Sequence, residues 1–238
     1  MDNGKIAAIV LAAGSSSRMG GVKKEFKKLE TGATVLEASV CAFLSFPAVE
    51  TIVIAINEHT EAAARMALPP AYLSCEKPKI VFVNGGNSRR ASVFNALNAL
   101  MPYNPDYVLI HDGARPWVSA SLIENIICAV KKHNAVIPLL PLTDTPKECD
   151  APFLKLRLQD EMPLAFIKNH LKRSNTGTAQ TPQGFKFPEI LHAHEKASHT
   201  EDDKFTDDAE IWGRFCGSVA VIPGEHDNRK ITFPEDLN

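Results

Sequence analysis

An α/β fold, with a mostly parallel sheet covered by helices on both faces, is predicted for this 238-residue sequence by three observations. Strand-like and helix-like segments alternate through the first 140 residues, the strands are short unbroken apolar runs, and turns of small or polar residues follow them. Hydrophobic residues make up 45% and charged residues 23%, enough for a sizeable buried core. The net charge of −2 argues against a nucleic-acid or membrane-surface binder, so basic residues that matter must act locally.

The first strand is the apolar run at residues 6–11, stopped by Gly14 and three serines. It is too short for a signal-peptide core with its cleavage site, or for a membrane span. Thr34 caps a helix through Phe46, with Val35, Leu36, Ser39, Val40 and Phe43 at helical spacing. Residues 49–56 and 80–83 are the second and third strands, and Gly85-Gly86 turns the chain into a helix carrying Val93, Phe94, Leu97 and Leu100. A fourth strand at 107–110 ends in His111-Asp112-Gly113. Ser119 or Ser121 caps a helix to about His133, and 135–140 is the fifth strand.

From 142 to 175 the pattern changes: Pro146, Pro152 and Pro163 interrupt it, and Leu154, Leu156 and Leu158 alternate like a strand. This is an excursion from the sheet and not a second core, so one domain over residues 1–238 is expected. A segment at 180–187, helices near 188–198 and 207–215, and a strand at 219–222 complete the chain. Thr206 is the expected N-cap of the last helix, with Asp207 and Asp208 as stabilising charges in its first turn. His192, His194 and His199 read as solvated helix residues, and Trp117 and Trp212 as packing residues. Cys41, Cys75, Cys128, Cys149 and Cys216 lie far apart without metal spacing, so reduced, mostly buried thiols in a cytoplasmic protein are expected.

Ligands of such sheets sit outside the carboxyl ends of the strands, which singles out the turns at 12–20, 84–88 and 111–116. The first, Ala12-Ala13-Gly14-Ser15-Ser16-Ser17-Arg18-Met19-Gly20 followed by Lys23-Lys24, has the small residues that let backbone N–H groups form an anion nest. Arg18 adds a planar fork and a lysine a mobile charge. The alternative is a flexible serine-rich surface loop. Neither a P-loop nor a dinucleotide fingerprint is present. In the third turn Asp112 is placed to hold Mg²⁺ near phosphates, with Arg115 for a second anionic group; the alternative is an ordinary Asp-Gly turn closed by Pro116. Asp227-Asn228-Arg229-Lys230 offers another carboxylate and lysine, or simply a polar turn.

Taken together, these segments resemble the cytidylyltransferases of the non-mevalonate isoprenoid pathway, which make CDP-methylerythritol from CTP and 2-C-methyl-D-erythritol 4-phosphate. The matching stretches are Ala12-Ala13-Gly14 with Arg18-Met19, Gly85-Gly86 with Ser92, and His111 through Pro116. Asp144-Thr145, Gln180-Thr181-Pro182-Gln183, Thr206-Asp207-Asp208 and Asp227 through Thr232 follow in family order. The resemblance implies a Rossmann-like nucleotidyltransferase fold with a protruding arm at 142–175 through which the family dimerises. It implies Arg18, Lys24 and Lys230 as the catalytic cations, with Ala12, Ala13, Gly14, Gly85, Gly86, Ser92, Asp112 and Gly113 around the nucleotide. Asp112 and Asp227 would hold Mg²⁺, and Arg115, Thr145, Arg173, Thr181 and Thr206 would join Lys230 around methylerythritol phosphate, Arg173 reaching it from the neighbouring subunit.

The sequence departs from the family in places. Ser16 replaces a second glycine, and Lys23-Lys24-Glu25-Phe26 stands where the family has Pro-Lys-Gln-aromatic. The arm is longer than usual, and the chain stops at Asn238 where the family continues into a short helix, so trimming is expected. The nearest rival is a cytidylyltransferase for another polyol phosphate, such as ribitol 5-phosphate. A catalytically silent nucleotide-binding regulator is the rival from another class. Arg173 and the Asp-Asn before Arg229-Lys230 favour methylerythritol phosphate.

Overall fold

The computed structural model of the chain describes residues 4–14, 16, 19, 23–150, 165–200 and 205–237. Five apolar segments, later joined by a sixth, form the parallel part of the sheet: β1 (Ile6–Ala12), β2 (Val49–Ile56), β3 (Lys79–Asn84), β4 (Tyr107–Asp112) and β5 (Ala135–Pro141). Between them come α1 (Val35–Leu44), the short α2 (Glu61–Met66) and α3 (Pro70–Leu73), α4 (Arg89–Leu100) and α5 (Ala120–His133). The later chain adds β6 (Lys147–Cys149), β7 (Ile167–His170), β8 (Gly177–Ala179), β9 (Gln183–Lys186), α6 (Phe187–Ser198), α7 (Asp208–Phe215) and β10 (Ala220–Pro223).

Side chains of β1 alternate between two cores. Ile6, Ala8, Val10 and Ala12 face Leu36, Val40 and Phe43 of α1 and the apolar side of α5. Ala7 and Ile9 face Val93 and Leu97 of α4, Ile190 of α6 and Trp212 of α7. Burial on both faces is why these strands read as continuous apolar runs. The helix starts are fixed locally: Thr34 and Glu37 make a reciprocal capping box on α1, and Ser88 and Ser119 cap α4 and α5.

The strand order is β3-β2-β1-β4-β9-β5-β10, with β8 also paired to β5. All these neighbours are parallel except β9 and β8. Leu11 lies opposite Asp112, Ala12 opposite Ile56, and Ile56 opposite Asn84, so four carboxyl ends reach one edge together. Because β9 runs the other way, with Ile110 opposite Gln183, it is the start of β9 that arrives at that edge. Sequence pattern alone puts a segment at 180–187 and does not show its insertion between β4 and β5.

The described part of the excursion carries a two-stranded antiparallel ribbon of β6 and β7, with Phe166 and Ile167 exposed. Phe153, Leu154, Leu156, Leu158 and Leu164 lie outside the described residues. Among the described residues no helix is long and apolar enough to cross a membrane.

Three expectations are corrected. The cysteines are not buried: Cys41 and Cys128 stand on the outward faces of α1 and α5, Cys75 and Cys216 follow helix ends and are exposed, and Cys149 is half-buried. The N-cap of α7 is Asp207, whose carboxylate accepts the Glu210 N–H, while the Thr206 N–H and hydroxyl both donate to the Glu210 carboxylate at 2.8 Å. His194 is fully buried, stacked on Phe94 and paired with Asp208, whereas His192 is exposed.

Candidate active site

At the carboxyl edge a cavity of about 570 Å³ opens between the turns after β1, β2, β3 and β4. Ala13, Gly14, Ser16, Lys24 and Glu25 line it from the chain after β1, Asn57 from the turn after β2, and Gly86, Ser88, Arg89 and Ser92 from the turn after β3 and the start of α4. Asp112, Ala114, Lys230 and Thr232 close the floor.

The Gly85-Gly86 wall has no room for side chains. A Cβ on Gly85 would stand 2.4 Å from Ala13 Cβ and 2.9 Å from Ser92 Oγ, and one on Gly86 2.4 Å from Ala91 Cβ. Ser92 pins this turn to α4: its hydroxyl accepts the Gly86 N–H at 3.0 Å and donates to the Ser88 carbonyl at 2.9 Å. The result is exposed backbone on one side of a narrow slot, a surface that can read a flat ring by its edge.

Asp112 is the charge centre of the floor. Lys230 Nζ lies 2.8 Å from its Oδ2, Arg115 Nε 3.6 Å from the same oxygen, and Arg89 Nε 3.9 Å from Oδ1. Burial alone would raise its carboxyl, but Lys230, Arg89 and Arg115 outweigh that and hold it well below the usual carboxylate range. Behind it, burial pushes the His111 imidazole down to about 4, so the ring is neutral near pH 7. Its Nε2 faces the Arg115 carbonyl at 3.1 Å, which can only accept, so Nε2 carries the proton. Nδ1 then accepts from the Thr181 hydroxyl (3.1 Å), and that hydroxyl accepts the Asp112 N–H (3.0 Å). The start of β9 thereby fixes the backbone of Asp112.

The second lysine is set from the other side. Ile231 is fully buried beside Leu29 and Val35, its N–H donates to the Ala114 carbonyl, and its carbonyl accepts from Lys24 Nζ at 2.6 Å. One buried residue thus ties Lys24 to the turn that carries Lys230.

Residues 6–238 match the family described as IspD, 2-C-methyl-D-erythritol 4-phosphate cytidylyltransferase. The chain belongs to this family. Among curated relatives, the bifunctional enzyme IspD/IspF of Bartonella henselae is 37% identical over 235 residues, covering 98% of this chain and 55% of that protein. The chain spans about half the length of the curated relatives it matches. The crystal structure of 4-diphosphocytidyl-2C-methyl-D-erythritol synthase from Anaerococcus prevotii is similar at a TM-score of 0.80 and 30% identity, covering 99% of this chain and 94% of that one. The Francisella tularensis 2-C-methyl-D-erythritol 4-phosphate cytidylyltransferase gives 0.76 and 28%, with 98% and 96% covered. The fold is that of these cytidylyltransferases.

Within this IspD-family chain the site residues expected from sequence fall into three groups. Ala13, Gly14, Lys24, Gly86, Ser92, Asp112 and Lys230 line the cavity. Ala12, Gly85, Gly113, Arg115 and Thr181 lie just behind it and act on its walls. Gly113 donates its N–H to Leu11 and accepts from Ser39, so Ala114 takes the lining position. Arg115 is buried and holds the Asn228 carbonyl at 2.6 Å, bracing two turns. Thr145, Arg173, Thr206 and Asp227 are exposed and do not line the cavity; Arg173 holds the Thr143 carbonyl at 2.6 Å at the root of the arm. Arg18 lies outside the described residues.

Arg89, Glu25 and the Asp208 behind Arg89 are site residues that the sequence reading missed. Glu25 is buried in the cavity wall, its carboxyl raised by burial, with the Ser16 hydroxyl 3.3 Å away. For Arg89 a signal existed: it opens the helix directly after the Gly-Gly turn. Asp208 stands in the Thr206-Asp207-Asp208 stretch that resembles the family, but its pairing with Arg89 and His194 is made only by the packing of α4 and α6 against α7.

Proposed function

We propose that the chain transfers the cytidylyl group of CTP to 2-C-methyl-D-erythritol 4-phosphate. A phosphate oxygen of the acceptor attacks the α-phosphorus, the new P–O bond forms, and the bond to the β-phosphate breaks to release pyrophosphate. The acceptor is already ionised near neutral pH, so the site needs to align the reactants and neutralise growing charge, and it needs no strong base. The observation that carries this reading is the placement of Lys24 and Lys230 on one cavity with the tight Gly85-Gly86 turn. Lys24 and Lys230 meet the phosphates, and the backbone beside Ser92 takes the cytosine.

Asp112, ionised and in the cavity floor, has the chemistry of a ligand for a hard divalent cation such as Mg²⁺. Asp227 does not line the cavity, and among the described residues no three or more carboxylate, histidine or cysteine groups come together for a metal. The ion would therefore be shared between Asp112 and the triphosphate, where it supplies positive charge to the leaving group. Removal of divalent ions with EDTA is expected to abolish turnover without changing the circular dichroism spectrum, and full activity in chelator would refute the metal's part.

We further place the protein in the cytoplasm as a homodimer, the arm of one subunit bringing Arg173 to the acceptor site of the other. The exposed free thiols favour a reducing compartment, and the exposed apolar residues of the ribbon favour a covered surface. The deciding assay supplies CTP and Mg²⁺ with either methylerythritol phosphate or ribitol 5-phosphate. Product from the first and little from the second supports the reading; the reverse replaces it with the polyol-phosphate alternative.

A further inference from the structure

A chain of buried charge runs from behind the sheet into the cavity. His194 Nε2 lies 3.1 Å from Asp208 Oδ1, and Asp208 Oδ2 lies 2.8 Å from Arg89 Nη2. Asp208 and His194 have no exposed surface, while the Arg89 side chain keeps 30% of its own and lines the cavity. Arg89 shares the cavity lining with Gly86, Ser88 and Ser92, and its Nε lies 3.9 Å from Oδ1 of Asp112, the partner of Lys230 on the floor.

Two details point to a ligand for it. Asp112 at 3.9 Å is a charge neighbour beyond hydrogen-bond reach. Asp208 Oδ2 holds the guanidinium at Nη2, 2.8 Å away. The ion pair therefore steers the guanidinium without exhausting its five donors. A buried carboxylate facing a partly exposed arginine orients it, since leaving that carboxylate unpaired would be strongly unfavourable.

Resting on the CTP reading of the cavity, we infer that Arg89 contacts the phosphate attached to the ribose, and that Asp208, held by His194, is the positioning residue that aims it. A guanidinium beside both the base slot and the reacting floor faces the stretch of nucleotide that joins them. The one anionic group there is that phosphate, which also gains charge in the transition state. Asp208 reaches the substrate only through Arg89.

The test compares inhibition of the wild-type protein by CMP and by cytidine, then repeats it in Arg89→Ala, Asp208→Asn and the double variant. CMP inhibition and the KM for CTP are expected to weaken about tenfold or more in each single variant, the scale for losing a charged hydrogen bond, while inhibition by cytidine stays the same. The double variant is expected to be no worse than Arg89→Ala, because the two residues act as one unit. Equal loss of CMP and cytidine binding, or losses that multiply in the double variant, would overturn the inference. If Asp208→Asn fails to fold, Arg89→Lys decides: unchanged CMP inhibition refutes the contact, and selective loss supports it. Failure of the wild-type protein to bind CTP would instead remove the functional reading, and this inference with it.

Discussion

Lys24 and Lys23 differ by one position and face different things. Lys24 lines the cavity and is tied to the Ile231 carbonyl, whereas Lys23 reaches back to the Gly14 carbonyl at 2.6 Å and does not line it. Lys24→Ala is expected to lower turnover by roughly a hundredfold, the scale for removing one transition-state donor. Lys23→Ala should cost only a few-fold, and steady-state kinetics that reverse this order would show that the other lysine meets the phosphates. His111 gives a prediction of another kind. Its imidazole is held at about 4 in the fold against an ordinary 6.5, so between these values the unfolded chain binds the extra proton. The stabilisation is fully present above about pH 6.5 and is lost as pH falls towards 4, amounting to roughly 3 kcal/mol. Denaturant titrations at pH 7 and 4.5 should show it, and His111→Gln should be less stable at pH 7 with a shallower decline. Residue-scale features of this sort were hard to read beforehand. Asp208 looked like an ordinary helix-start charge, and His194 like a surface histidine, because only partners distant in sequence make them buried and paired.

Among the elements, legibility followed locality. The helices that begin at Thr34, Ser88 and Ser119 carry their own caps and apolar spacing, and the parallel strands carry their burial in unbroken runs. The four residues Gln-Gly-Phe-Lys of β9 carry no such pattern, and their pairing with β4 and β5 is decided by chain that lies far upstream. The site was legible in most turns that follow strands and in the stretch that leads into β9, where Thr181 was named, and obscure where α7 contributes. The Gly85-Gly86 turn shows how tightly an element can specify a wall. Gly85→Ala would press a methyl into Ala13 and the Ser92 hydroxyl, so the turn must shift. CTP affinity is expected to fall at least tenfold, with little change in the melting temperature because the turn is at the edge of the sheet. Unchanged affinity by calorimetry would remove that wall from the nucleotide site.

For the whole molecule, the arm raises the question of whether one chain suffices. The exposed Phe166, Ile167 and Leu171 lie along the ribbon, and Arg173 follows directly. If the arm serves a partner, mixing Arg173→Ala chains with Lys24→Ala chains should restore up to about half activity per heterodimer, since a two-fold contact leaves one site intact. No recovery on mixing, or a monomer by sedimentation at assay concentration, would count against exchange. The sheet itself has a consequence for synthesis. The place between β4 and β5 is filled by Gln183–Lys186, which emerges from the ribosome long after both of those strands. Until then β4 and β5 have no strand between them, and the nascent chain holds two part-sheets with an open seam. Closing it is a late, long-range event, the kind that slows folding and leaves strand edges exposed meanwhile. Thr181, which holds the Asp112 backbone in the cavity floor, lies just before this strand, so seating the strand in the seam also sets the floor of the cavity.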